Sequence, residues 1–233
     1  MARPLSHPPS RPPVSPLTPP RVPPNCLFVI DDAESDWPPE HTSYDLVHGR
    51  NMAGSIRDWT RLFTQAQRSL RPGGWLEMQE FDVWFRVQTG GGEAELPADC
   101  AIAQWQAHLD DASRLFSKRL NVASELRARV VEAGFEAVAD DVIKVPIGAW
   151  PRDPRLKEQG CFLQVQMLDS IEPISLAYCT RILKWTETRT QVFMAQVRRE
   201  FLDSRTHLFV CCHIVYGRKP GGAGGGGEEE GEI

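Results

Sequence analysis

Polar and glycine residues follow two short apolar segments near the start of the chain. Asp31 and Asp32 come directly after the first segment, and His48, Gly49 and Arg50 end the second. If the segments are strands of an open α/β sheet, these residues lie at its carboxyl edge, where such sheets bind ligands. No catalytic triad is apparent in the sequence. Two alternatives need no ligand: a turn at the acids and a surface salt bridge at the arginine.

The elements that would position these residues alternate between strands and helices. Buried or apolar runs predict strands at Cys26–Ile30, Tyr44–His48, Trp75–Gln79, Val142–Ile147 and His207–Tyr216. Helical spacing predicts helices from Ser55, as the capping residue, to about Leu70, then at 99–117 and 124–133, and two or three helices within 154–203. This alternation indicates the α/β class, with a parallel, doubly wound sheet covered by helices. The direction of the last strand does not follow from the pattern.

Composition excludes several classes of protein. The 233 residues suffice for one domain, and a formal charge of −5 without a basic stripe disfavours direct nucleic-acid binding. No apolar run approaches the ~18 residues that a membrane span needs. The six cysteines include no C-x-x-C pair, which is typical of reduced thiols in an intracellular protein, cytoplasmic or nuclear.

Both ends of the chain have the composition of disordered tails. Residues 1–24 contain ten of the 19 prolines, and residues 220–233 are almost entirely glycine and glutamate. Proline removes backbone donors and favours an extended, solvated segment. A ligand for a proline-binding module is the alternative for the first tail. The predicted folded part is therefore residues 25–219, as a partial domain.

Three segments, in their order along the chain, resemble the class I S-adenosylmethionine-dependent methyltransferases, and more narrowly their fungal LaeA-like group. These segments are Tyr44–Arg50, Ala53–Trp59 and Leu70–Glu80, the last reading L-R-P-G-G-W-L-E-M-Q-E. The resemblance implies a Rossmann-like class I methyltransferase sheet with helices on both faces. It also implies S-adenosylmethionine as cofactor and a link to secondary metabolism. The methyl acceptor does not follow from the sequence, because specificity on this fold lies in loops.

The resemblance also assigns roles to the residues at the predicted carboxyl edge. Asp32 would accept a hydrogen bond from the adenine amino group, with Ala33 against the ring and Asp31 as the alternative in register. Arg50 would line the methionine end of the site, where an arginine is suited to a carboxylate. Methyl transfer needs alignment of the acceptor more than covalent help. We therefore expect no catalytic residue and no metal.

Two further groups of residues have a functional and a structural interpretation. Glu77, Gln79 and Glu80 end a predicted strand and could contact the acceptor, but a solvated strand end is favoured. Cys211 and His213 share one face of the last strand, where packing is favoured over a nucleophilic pair because the surrounding run is apolar.

The chain departs from the family at its beginning. Family members start with a strand, a glycine-rich G-x-G-x-G loop, a helix and a second strand that ends in an acid. None of this precedes Asn25, so the first two strands of the sheet are expected to be absent. Truncation and divergence are the two explanations, and a diverged chain would need a protein partner or an oligomer to cover the open sheet edge. A non-catalytic scaffold or regulatory partner is therefore the alternative to an active enzyme.

Overall fold

The computed structural model of the chain describes residues 23, 25–26, 28–37 and 44–221. The predicted tails lie outside the described residues, apart from Pro23, Pro220 and Gly221. Their predicted disorder, and the predicted domain boundaries, therefore stay predictions.

Strands and helices alternate along the described residues. The strands are β1 (Tyr44–Arg50), β2 (Leu70–Phe81), β3 (Arg86–Thr89), β4 (Gly92–Glu95), β5 (Glu136–Pro146) and β6 (Leu208–Arg218). The α-helices are α1 (Trp59–Ser69), α2 (Ala101–Leu115), α3 (Leu126–Glu132), α4 (Pro154–Ala177) and α5 (Glu187–Phe201). A 3₁₀ turn (Ala123–Glu125) precedes α3, and a π-helical turn (Tyr178–Ile182) continues α4.

The strands form one mixed sheet. β1 runs parallel to β2, β6 lies antiparallel beside β2, and β5 lies antiparallel on the other side of β6. The hairpin β3–β4 extends the sheet where β3 pairs with the start of β6. Within the described residues only the β1–β2 pair is parallel. The sequence pattern predicted a parallel sheet, whereas the sheet observed is mixed.

Helices cover both faces of this sheet. On one face α1 and α3 pack on the sheet, around the buried residues Phe63, Leu76, Leu126, Val130 and Val215. On the other face α2, α4 and α5 enclose a second core around Ile102, Trp105, Ile171, Met194 and Phe201. The two cores confirm the predicted α/β class with helices on both faces. None of the helices in the described part is both long and apolar enough to cross a membrane.

Helix α1 begins three residues later than the sequence predicts. Asp58 Oδ1 accepts a hydrogen bond of 2.8 Å from the backbone N–H of Arg61, so Asp58 is the N-cap in place of Ser55. Aspartate and serine cap helices about equally well, and the pattern could not distinguish them. The predicted apolar stripe is confirmed, with Trp59, Leu62, Phe63 and Ala66 buried.

The predicted buried strand Cys26–Ile30 is wrong. Its residues 28–30 adopt no strand, and the side chains of Phe28, Val29 and Ile30 are 48%, 57% and 75% exposed. A strand needs a neighbour that pairs with its backbone groups. Among the described residues the sheet ends at β1, and no strand lies beyond it to bring this segment in. The apolar run predicts a capacity for burial but not a partner.

Candidate functional site

The parallel strands β1 and β2 end at the same edge of the sheet. Arg50, the last residue of β1, lies opposite Gln79 near the end of β2. The next residue, Asn51, has a left-handed φ of 54° and donates its backbone N–H to the carbonyl of Gln79 at 3.0 Å. Asparagine tolerates this conformation better than most residues do. The chain therefore turns sharply as it leaves β1.

Glu80 fixes the loop that follows this turn. Its carboxylate is only 1% exposed, and it accepts hydrogen bonds from the backbone N–H groups of Met52 at 2.5 Å and Ala53 at 3.2 Å. Burial raises the pKa of Glu80, although the two hydrogen bonds act in the opposite direction. The preferred interpretation of Glu80 as part of a solvated strand end is therefore wrong. In the sequence, Glu80 is a charged residue at the end of a strand. This pattern does not distinguish a solvated strand end from a buried carboxylate that binds backbone N–H groups.

A second carboxylate fastens the segment 28–37 to the same region. Glu34 Oε1 accepts hydrogen bonds from the backbone N–H groups of Asp58 at 3.0 Å and Arg57 at 2.8 Å, and Glu34 Oε2 lies 3.0 Å from Lys118 Nζ. The bonds to the backbone, with the lysine, lower the pKa of Glu34 to about 2. Lys118 Nζ also donates to the carbonyl of Ser55 at 2.6 Å. Sequence reasoning missed this link, because no local pattern relates residues 84 positions apart.

The two predicted acids on this segment make turn interactions. Asp31 Oδ1 accepts the backbone N–H of Asp32 at 2.8 Å, and Asp32 Oδ1 accepts that of Glu34 at 2.9 Å. Both residues are exposed, and the neighbouring Ala33 packs partly buried beside the core under α1. The turn alternative is thus present in the structure, and it uses only Oδ1 of the exposed Asp32 carboxylate.

The residues at the end of β1 differ in what they offer a ligand. His48 Nδ1 lies 3.0 Å from Glu77 Oε1, so its ring is engaged within the sheet. Gly49 makes room for Met78, since a Cβ there would lie 2.6 Å from the methionine methyl carbon. Arg50 is exposed, and its side chain forms no ion pair with any residue that the structure describes. Of the three, Arg50 alone presents a charge that is not already used.

Two other candidates from the sequence lie in β6, where His213 pairs with Glu80 of β2. Cys211 and His213 are buried in β6 as expected, and His213 Nδ1 contacts Asp140 Oδ2 of β5 at 2.8 Å. Across the described ranges, no three His, Cys, Asp or Glu side chains are placed to hold a metal ion.

The fold and this edge define an α/β protein of the Rossmann-like type, with an open sheet and polar groups beyond the carboxyl ends of its parallel strands. A profile of the family described as "Methyltransferase domain" matches residues 12–140. The chain therefore belongs to this methyltransferase family.

Individual relatives agree with the family. The chain is 36% identical to "Methyltransferase pytC" of Aspergillus terreus over 196 residues, which are 84% of this chain and 59% of the relative. It is 30% identical to "Secondary metabolism regulator LAE1" of Cochliobolus heterostrophus over 191 residues, 81% of this chain and 61% of the relative. These relatives confirm the predicted resemblance to the LaeA-like methyltransferases. The chain spans about three fifths of the length of each.

Solved structures of methyltransferases also resemble the chain at low identity. One is the Haemonchus contortus phosphoethanolamine N-methyltransferase 2 in complex with S-adenosyl-L-methionine, with a TM-score of 0.40 and 17% identity. The match covers 82% of this chain and 36% of that one.

Proposed function

We propose that this chain binds S-adenosylmethionine at the carboxyl edge of β1 and β2 and methylates an acceptor. The observation that carries the proposal is the exposed, unpaired guanidinium of Arg50 at that edge, next to a loop that Glu80 holds in place. A guanidinium there suits the carboxylate of the cofactor's methionine part. The remaining carboxylate oxygen of Asp32, or Asp31 in the alternative register, suits the adenine amino group.

The described residues fit the two polar ends of the cofactor. S-adenosylmethionine supplies a methyl group already activated on a sulfonium, so the protein's work is to bind and align. Ala33 offers a small apolar surface for the ring, while His48 and Gly49 shape the end of β1. No glycine-rich loop between a strand and a helix occurs in the described part, and the proposal uses none.

Calorimetric titration of the chain with S-adenosylhomocysteine tests this proposal. We expect micromolar binding, about −8 kcal/mol. A cooperative urea transition of the same sample shows that the chain is folded. Absence of binding by a cooperatively folded chain would overturn the proposal.

A second candidate function is a non-catalytic scaffold or regulatory partner. It is favoured by the exposed apolar side chains of Phe28, Val29, Ile30 and Leu46, the last 54% exposed on the edge strand β1. We propose that a protein partner or a second copy of the chain covers this edge. Light scattering during size-exclusion chromatography distinguishes a monomer, which would contradict a second copy, from a dimer.

Two broader proposals accompany these functions. Similarity to a protein named as a secondary metabolism regulator suggests the same process for this chain. Metabolite profiles of a deletion strain test that link, and unchanged profiles would contradict it.

An intracellular location, cytoplasmic or nuclear, is proposed from the cysteine pattern. Imaging of a tagged chain tests the location.

A further inference from the structure

Two adjoining apolar cavities lie beside the loop that leaves β1. The first, of about 380 Å³, is lined by residues of this loop, the end of α2, α4 and the π-helical turn, among them Gly54, Phe116, Leu120, Ile174, Tyr178 and Arg181. The second, of about 130 Å³, lies deeper, among Phe85, Trp105, Leu109, Leu163 and Met167. Leu120 and Ile174 line both cavities, so the two cavities adjoin at these side chains.

The first cavity reaches the edge at which the cofactor is proposed to bind. Its wall includes Ala53, whose backbone N–H bonds to Glu80, and Gly54, whose N–H donates to the carbonyl of Arg119 at 3.0 Å. Gly54 has a φ of +78°, and a Cβ there would lie 2.7 Å from Leu120 Cδ2. Glycine thus permits both the turn and the close approach of the cavity's opposite wall.

The polar residues that line the first cavity are few: Ser55 in the loop after β1, and Tyr178 and Arg181 in the π-helical turn. The hydroxyl of Tyr178 has no hydrogen-bond partner among the described residues, and burial raises the pKa of this tyrosine, so it stays a donor at neutral pH. Arg181, one turn further along the π-helical turn, is the one charged residue of the lining. π-Helical turns recur at functional sites, because they redirect side chains within a helix.

We infer that these two cavities bind the methyl acceptor, and that the acceptor is a small, apolar ring compound with a neutral or anionic polar group. The inference rests on the proposed function. A volume of 380 Å³ lies within the range of small-molecule sites, and a dry cavity of about 150 Å³ accepts a benzene ring. The second cavity therefore has about the size of one ring or a short branched chain.

The charge of the lining selects among acceptors. A cationic amine, such as a lysine side chain of a protein acceptor, would face Arg181 without an acid in the first cavity to offset the repulsion. The second cavity has one acid in its lining, Asp82, whose Oδ2 lies 3.4 Å from Arg86 Nη2 and is thus already paired. A hydroxyl or carboxylate instead accepts a hydrogen bond from Tyr178 or Arg181.

An acceptor hydroxyl in this position would gain the methyl group and lose its proton to solvent. The cofactor's sulfur would keep the bonding electron pair as a neutral thioether.

Three probes of one shape test the site and its chemistry: 2-naphthol, 2-naphthoate and the 2-naphthylmethylammonium cation. Binding to the full chain is measured by calorimetry, and the methyl NMR signals of Leu120 and Ile174 report its position. Ala177→Trp fills the first cavity from an exposed position of its lining. Val165→Trp is the matched control, because Val165 is an exposed residue of the same helix outside both linings. S-adenosylhomocysteine is titrated into every variant.

We expect 2-naphthol and 2-naphthoate to bind and the cation to bind at least about tenfold more weakly. Ala177→Trp should weaken the first two by at least about tenfold, whereas Val165→Trp should leave them within about twofold. Equal binding of all three probes, binding insensitive to Ala177→Trp, or no binding would overturn the inference; in the last case a protein acceptor would take its place. Naphthol binding by a chain that does not bind S-adenosylhomocysteine would instead overturn the proposed function, and with it the assignment of the cavities to an acceptor.

Discussion

The carboxylate of Glu80, buried at the end of β2, accepts a hydrogen bond of 2.5 Å from the backbone N–H of Met52 in the loop after β1. The two strands are neighbours, but their pairing ends at Arg50 and Gln79 and does not extend into this loop. The hydrogen bond between the Glu80 side chain and Met52 therefore connects the two strands beyond the last residues that pair through their backbones. It fixes the backbone that lies between the proposed cofactor edge and the first apolar cavity.

Replacing Glu80 with Gln should destabilise the fold at pH 7. The amide oxygen can accept one of the two backbone N–H groups, while the amide NH₂ faces the other, so a buried donor loses its partner. We expect a loss of about 1–3 kcal/mol in the free energy of unfolding, measured by urea denaturation. Glu95→Gln, an exposed change on β4, is the control and should stay within about 0.5 kcal/mol. Equal stability of the two variants would contradict the role given to Glu80.

The same variant tests how the stability of the fold depends on pH. The pKa of Glu80 is raised above its ordinary value of 4.5, so the folded chain binds this proton more tightly than the unfolded chain does. Its contribution to stability is then fully present below pH 4.5 and is lost as the pH rises through the raised pKa. The stability of the wild type relative to Glu80→Gln should therefore fall as the pH rises from about 4 to 7. Urea denaturation of both proteins across this range measures it, and an opposite slope would contradict the burial of the charge.

Glu34 should show the opposite dependence. Its pKa is lowered from 4.5 to about 2 by its hydrogen bonds to the backbone of Asp58 and Arg57 and by Lys118. The stabilisation is present above pH 4.5 and is lost as the pH falls toward 2. Glu34→Gln should cost about 1–2 kcal/mol at pH 7, a value reduced for partial exposure to solvent, and little near pH 2. Glu132→Gln on the exposed face of α3 is the control. A loss that does not depend on pH would contradict the charged hydrogen bonds.

The elements with a periodic pattern could be predicted from the sequence. The stripe Trp59, Leu62, Phe63 and Ala66 identified α1, and the apolar run of β6 identified the last strand, because both patterns report local burial. The start of β5 was missed by six residues, since a register shift between Glu136 and Ala139 interrupts the alternation of the strand and the next two residues, Asp140 and Asp141, are acidic. Pairing of this kind leaves no hydrophobic pattern.

The candidate site could be predicted only in part. The position of Arg50 at a strand end followed from the pattern and from the resemblance to the methyltransferases. The roles of Glu80 and Glu34 did not, because each binds backbone groups more than 20 residues away in the sequence. The prediction of a strand at Cys26–Ile30 was wrong for the same reason, since burial of an apolar run requires a partner that the run itself does not specify.

The contact between Gly160 and Gly148 gives a test of the packing of α4. The backbone N–H of Gly148 donates to the carbonyl of Gly160 at 2.8 Å, and a Cβ at Gly160 would overlap the carbonyl oxygen of Gly148. Backbone cannot move aside as a flexible side chain can, so Gly160→Ala should cost about 1–3 kcal/mol. Gly91→Ala in the β3–β4 turn is the matched control, because nothing lies within 4 Å of its Cβ position. Thermal unfolding of both variants measures the difference, and similar midpoints would contradict the close packing.

The role proposed for Arg50 can be separated from a general effect on binding by choice of ligand. S-adenosylhomocysteine carries the amino-acid carboxylate that the guanidinium is proposed to bind, whereas 5′-methylthioadenosine has the same nucleoside without it. Arg50→Gln should therefore weaken S-adenosylhomocysteine by about tenfold, close to 1.4 kcal/mol, and leave 5′-methylthioadenosine almost unchanged. Calorimetric titrations of both ligands give the two ratios.

The control for this prediction is Arg127→Gln, which removes the same charge from the exposed face of α3. It should change the affinity for neither ligand, because a distributed effect of net charge is screened at physiological salt. Equal weakening of both ligands by Arg50→Gln would mean that the residue supports the nucleoside end or the loop after β1. Weakening confined to the ligand with the carboxylate would place that carboxylate at the end of β1, as proposed.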